Sequence, residues 1–177
     1  VSPVAVASSR IGSASTRNMG TTVISTRCTT MWAQNRCLAS SAMTLLTENT
    51  NSAIATWDGS TLKLWKSPEQ NDVTPSAIYF DRRGRYVGKR AYDLVPQDRS
   101  KSATLFKRLM GTTTPVNISG QDPVTPEWCS AEILKTLFGY LPEEVRAQVQ
   151  GTVITVPAAF NQMQKDATLQ AAEMAGI

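Results

Sequence analysis

The chain has 177 residues, room for one domain of ordinary size, and the 41% that are hydrophobic can supply its core. Its formal charge of +4 is a property of the amino-terminal stretch: Arg10, Arg17, Arg27 and Arg36 are the only charged residues before Glu48, which takes four of the 18 basic residues and leaves 14 against 14 acidic ones, so a basic nucleic-acid face on the remainder loses its support. With no histidine, and with Cys28, Cys37 and Cys129 forming no CxxC pair, the composition argues against a disulfide framework, a Cys/His metal site and a His-based catalytic triad.

Residues 1–43 are rich in Ser, Thr and Ala, carry no acid and hold no sustained periodicity. Such a segment buries too little to offset its ordering entropy, and it is expected to be a disordered or non-native leader, with an organellar transit peptide as the alternative. The texture changes near residue 50, as a shifted reading frame or mis-set start would produce. Ser52 to Trp57 and Thr61 to Trp65 flank Asp58-Gly59 and predict a hairpin. Thr74 to Phe80 predicts a strand interrupted by Pro75, and Tyr86-Val87 a short strand beyond the turn at Gly84. Thr104 to Met110 predicts a short helix stopped by Gly111. Thr125 and Pro126 open the next helix as cap and first residue, and Ile133, Leu134, Leu137, Phe138 and Leu141 form its buried face. Pro142 starts a further turn or two, with Glu143 and Glu144 complementing the dipole. Val153 to Val156, halted by Pro157, predicts a buried strand. Asn161 caps a closing helix whose face is Ala167, Leu169, Ala171, Ala172, Met174 and Ala175, ending at Gly176. The order βββαβα fits an α/β half domain.

Four segments together resemble the heat shock protein 70 family, the DnaK-type chaperones. Asn49-Thr50-Asn51-Ser52 is similar to the tail of the family's first phosphate loop, Asp-Leu-Gly-Thr-Thr-Asn-Ser. Thr74-Pro75-Ser76 is similar to its Thr-Pro-Ser, and Lys107-Arg108-Leu109-Met110-Gly111 to its Lys-Arg-Leu-Ile-Gly. The strand, Pro157-Ala158-Ala159-Phe160-Asn161 and closing helix resemble its Pro-Ala-x-Phe-Asn segment. The resemblance covers nearly all of residues 49–177. It implies an actin-like ATPase (ribonuclease H-like) half domain, a mixed sheet with flanking helices, over residues 44–177: the first lobe of a nucleotide-binding domain, incomplete.

Several roles follow from that resemblance. Lys107 matches the lysine that reaches the γ-phosphate, where a point cation stabilises developing charge. Thr50, with Asn51 beside it, matches the part of the phosphate loop that approaches the β- and γ-phosphates. Pro157 and Lys165 match an interdomain switch, although lysine stands where the family has arginine and so lacks the planar fork. Leu46 and Glu48 fall at the loop's Asp and Gly, which removes a carboxylate from the Mg²⁺ shell and sets an anion where backbone should approach phosphate. The implied cofactors are ATP and Mg²⁺; the implied partners are unfolded client proteins and co-chaperones, with neither nucleic acid nor membrane.

With so little of the phosphate machinery present, the chain alone is expected to hydrolyse no ATP. Rival readings are a noncatalytic protein-interaction module derived from such a lobe, and a sugar-kinase-like relative. No apolar run approaches the roughly 20 residues that cross a bilayer, and unpaired cysteines fit a reducing, cytoplasmic setting. The cluster Arg82, Arg83, Arg85, Lys89 and Arg90, flanked by Asp81, Asp93 and Asp98, is expected to be a solvated turn rather than a nucleic-acid or anionic-surface site.

Overall fold

A computed structural model describes residues 4–9, 42–47, 50–58 and 61–177. Its centre is β9 (Gly151–Pro157), whose first six residues are all buried. Near-continuous burial is what a β-branched run gives when both faces are covered. Parallel to it on one side runs β1 (Val4–Ser9), and on the other β2 (Ala42–Thr47). β2 pairs antiparallel with β3 (Asn51–Trp57), which pairs with β4 (Leu62–Trp65) and with the two-residue β5 (Thr74–Pro75). The order among these described strands is β1-β9-β2-β3-β4, with β5 beside β3. Val6, Ile154, Leu45 and Ile54 fall in one row across this mixed sheet.

The hairpin forms where the sequence predicts it. Asp58 closes it, its two carboxylate oxygens accepting from the Thr61 amide at 2.7 Å and the Thr61 hydroxyl at 2.8 Å. The expected strand over Thr74 to Phe80 divides instead. Pro75 has no N–H to continue a ladder, the Ser76 amide donates to the Thr50 carbonyl at 2.8 Å, and the chain leaves the large sheet there. It then enters a second, antiparallel sheet as β6 (Ala77–Asp81), between β7 (Gly84–Val87) and β8 (Ser102–Thr104). Helix α1 (Lys89–Leu94) covers that small sheet with Ala91 buried.

The helix expected over Thr104 to Met110 is shorter and tighter. Ser102–Thr104 is drawn into β8 by pairing with β6, and Leu105 adopts the left-handed conformation at φ 58°. Only Phe106–Leu109 remains helical, as a 3-10 turn. Gly111, at φ 72°, ends it; a Cβ there would stand 2.9 Å from the Met163 carbonyl carbon, so no other residue fits without displacing backbone.

Helices α2 (Pro126–Phe138), α3 (Glu143–Gln148) and α4 (Gln162–Met174) follow the expected boundaries closely. The Thr125 hydroxyl accepts from the Trp128 amide at 3.1 Å. Asn161 and Gln164 form a reciprocal capping box at 2.9 and 3.0 Å. α2 and α4 pack on the large sheet. Ile133, Leu134, Leu137 and Leu141 meet Ile54, Phe106 and Ile154 in one core with Ala167, Ala171 and Ala172. Met174, expected on that face, is exposed in the last turn of α4.

Of the leader expected to be disordered or non-native, Val4–Ser9 is a strand, an extended Val-Ala-Val run that supplies β9 with a second parallel partner. Residues 1–3 and 10–41 lie outside the described residues. Among the described residues, no helix is long and apolar enough to cross a membrane.

Candidate functional site

Lys107 sits in the 3-10 turn between two conformational fixed points, left-handed Leu105 and Gly111. Phe106 beside it is buried in the core, and the Gly111 amide donates to Glu127 Oε1 of α2 at 3.1 Å. The turn is thereby tied to both the core and a helix. Its lysine side chain points inward and is 6% exposed. Nζ donates to Ser52 Oγ on β3 at 2.7 Å, and Ser52 Oγ lies 3.2 Å from Ser76 Oγ, where the chain changes sheets. Ser76 is held in turn by its amide bond to the Thr50 carbonyl.

Thr50 and Ser76 stand on the wall of a cavity of about 610 Å³ that also meets Tyr92, Val95, Pro96, Arg99, Thr104 and Leu105. Lys107 borders a different, small hollow of about 20 Å³, with Met110, Ile154, Pro157, Phe160 and Thr168 among its walls. Three of the residues singled out in sequence therefore converge: Thr50 at the large cavity, Pro157 at the small one, and Lys107 joined to the first through two serines while bordering the second. Asn51 is exposed at the start of β3. Lys165 lies on the first turns of α4, half-buried, and among the described residues its side chain enters no hydrogen bond or ion pair and borders neither cavity. Leu46 belongs to β2, and Glu48 lies outside the described residues.

Sequence reasoning assigned no role to Ser52 or Ser76, although both belong to the motifs that carry the resemblance. It also treated Arg85 as part of a solvated turn. Arg85 Nε instead pairs at 2.8 Å with Glu132, a buried carboxylate of α2 whose other oxygen meets Lys135 at 3.3 Å. The rest of that basic cluster fits the expectation: Lys89 pairs with Asp93, Arg90 lies over the Tyr86 ring, and Arg82 and Arg83 are exposed at the β6–β7 turn.

The donor set bears on what the site could hold. Hydroxyls and an ammonium suit phosphate oxygens, since all donate without steric bulk. Direct ligation of Mg²⁺ asks for carboxylate oxygens; among the described residues no cluster of three His, Cys, Asp or Glu occurs, and leucine stands at position 46. The described residues fit phosphate and do not by themselves form a metal shell.

Cys129, at the first turn of α2, is buried, and burial followed by the Glu127 and Glu132 carboxylates pushes its thiol up to about 12. A thiol so protected is a packing group, not a nucleophile.

The family model described as Hsp70 protein matches residues 47–117 and 112–177. Among curated proteins, the chaperone protein DnaK of Halobacterium salinarum is 37% identical over 128 residues, covering 72% of this chain and 20% of that protein. DnaK of Mycoplasma mycoides subsp. mycoides is 35% identical, and DnaK of Metamycoplasma hominis 33%, each over 72% of this chain and 21% of the relative. The chain thus spans about a fifth of the length of these relatives. The match replaces the sugar-kinase alternative, and the mixed sheet with its flanking helices is part of the family's actin-like ATPase fold. Built on that sheet, and carrying the family's sequence from β2's last residue to the end of α4, the chain belongs to the heat shock protein 70 family.

Proposed function

We propose that residues 44–177 form the first lobe of the nucleotide-binding domain of an ATP-dependent chaperone. In this reading Lys107 and Thr50 serve the phosphates of ATP·Mg²⁺, and Pro157 with Lys165 relays nucleotide state to a client-binding part. The whole protein assists unfolded clients together with co-chaperones in the cytoplasm. The observation that carries the reading is the continuous line from Lys107 Nζ through Ser52 and Ser76 to the cavity wall that Thr50 shares. Pro157 beside Lys107 in the small hollow supports the relay. Lys165, without a polar partner among the described residues, contributes to that relay as a charge near α4's start, a weaker coupling than a forked arginine would give.

The chain by itself turns over no ATP in this reading, because Leu46 contributes no carboxylate and only Lys107 and Thr50 attend the phosphates. A steady-state phosphate-release assay tests it. The expected outcome is a rate indistinguishable from buffer; turnover that vanishes in Lys107→Ala would show a complete catalytic site and overturn the inactivity.

A second reading, a noncatalytic interaction module, is favoured by one observation: Tyr92 and Leu105, both exposed large apolar side chains, face the same cavity. Chaperone-lobe function remains the better supported because the buried lysine and its hydroxyl partners have no use in a passive apolar surface.

A further inference from the structure

Ser52 and Ser76 are 1% and 4% exposed, 24 positions apart in sequence, and lie between a buried lysine and a cavity wall. The direction of the protons along this line is fixed by elementary bookkeeping of donors. An ammonium has three donors and no acceptor, whereas a hydroxyl has one donor and two lone pairs. Lys107 Nζ therefore donates to Ser52 Oγ. Ser52 is sealed from solvent and, among the described residues, has Lys107 and Ser76 as its hydroxyl's partners. If it also accepted from Ser76, its own O–H would be buried without an acceptor, a costly arrangement. Ser52 accordingly donates to Ser76 Oγ. The Ser76 proton is then directed away from Ser52, and Ser76 itself borders the cavity.

We propose that Ser52 and Ser76 are positioning residues for Lys107, forming an oriented hydroxyl line that holds the ammonium behind the cavity wall and presents the Ser76 O–H to a phosphate oxygen in the cavity. The proposal rests on the phosphate-lobe reading above for the identity of the ligand, while the line itself stands on the geometry. Hydrogen bonds in series polarise one another, so an anion accepting from Ser76 strengthens each bond back to the ammonium. Lys107 also borders the hollow beside Pro157, so the same line ends at the residue placed in the switch.

The test uses the full chain and the reactivity of Lys107 toward an amine-acylating reagent, read by mass spectrometry across pH, with exposed Lys66 as internal reference. Loss of a hydrogen bond to a charged group is expected to raise Lys107 acylation about tenfold in Ser52→Ala. Ser76→Ala should raise it by less, and should shift the pH profile of Lys107 in the same direction as Ser52→Ala. Ser76→Thr should restore the original rate and profile, since it keeps the hydroxyl and the cavity has room for a methyl group. If Ser52→Ala brings Lys107 labelling up to the rate of Lys66, that variant has unfolded and the Ser76 pair decides. A Ser76→Ala chain with an unaltered Lys107 profile, or a Ser76→Thr chain that behaves like Ser76→Ala, overturns the line. A separate arm adds inorganic triphosphate. Protection of Lys107 in the unsubstituted chain, lost in Ser76→Ala, supports the whole proposal; an intact line with no protection rejects the phosphate reading alone.

Discussion

Arg85 on β7 and Glu132 on α2 meet at 2.8 Å, joining the small sheet to a helix that packs on the large one. The carboxylate is nearly sealed from solvent, and the guanidinium reaches it by lying over the Trp128 ring, 5.5 Å from its centroid. Trp128 in turn stacks on Phe80 of β6 at 6.2 Å. One ion pair and one aromatic contact thus tie the small sheet to α2.

Truncating Arg85 should cost more than truncating Lys135, the second and more distant cation on the same carboxylate. Arg85→Ala leaves the Glu132 carboxylate buried with only half-exposed Lys135, and a loss of about 2 kcal/mol is expected. Lys135→Ala removes only the longer, 3.3 Å contact to the same carboxylate within one helix, leaves Arg85 in place, and should cost about 0.5 kcal/mol or less. Urea denaturation of both variants measures the difference, and equal losses would mean that the sheets are not held together here.

The capping box of α4 supplies a local test. Asn161→Ala removes the acceptor for the Gln164 amide and the reciprocal contact with it, with an expected loss of about 1 kcal/mol. Asn161→Asp keeps the acceptor and adds charge favourable to the helix start, so its stability should match or exceed that of the original chain by thermal denaturation.

Gly111 and Gly120 separate conformational strain from collision. Both have positive φ, 72° and 77°, but a Cβ meets backbone only at Gly111. Gly120→Ala should lose about 1 kcal/mol from the left-handed penalty alone. Gly111→Ala should lose clearly more, and should also raise Lys107 exposure to acylation, since it displaces the turn that carries the lysine.

The buried thiol sets an alkaline limit. Cys129 ionises near 12 in the folded chain against about 9 when unfolded, so the folded state holds the proton more tightly. The associated stability is fully present below about pH 9 and is lost as pH rises toward 12. Burial also raises Tyr140, which acts in the same direction. Denaturation midpoints should therefore fall steadily above pH 9, and iodoacetamide at pH 8 should leave Cys129 unmodified until denaturant unfolds the chain.

What the sequence disclosed divides along the range of the interactions involved. Thr125 and Asn161 were legible as caps because a cap is a contact over three residues. The buried run of β9 was legible because proline and β-branched residues mark it. The division of Thr74 to Phe80 between two sheets was not, since it depends on Ser76 bonding to Thr50 and on Ser102–Thr104 being available to pair with β6. Helix α1 went unread because it is six residues long and opens on Gly88 without a side-chain cap. At the site, family likeness singled out Lys107, but nothing local could show that its partner is Ser52, 55 positions away. Arg85 looked like one charge of a turn because its partner lies on a helix 47 residues later in the chain.

The central claim is that this lobe meets the phosphates of a nucleotide along the Thr50, Ser76 and Lys107 line. Amide and lysine-ammonium chemical shifts followed by NMR during titration with ATP and Mg²⁺ test it most directly. The account predicts that the largest saturable shifts fall on Thr50, Ser52, Ser76 and Lys107, and that inorganic triphosphate reproduces them. Shifts confined to the exposed arginines at the β6–β7 turn, with those four residues unmoved, would contradict it.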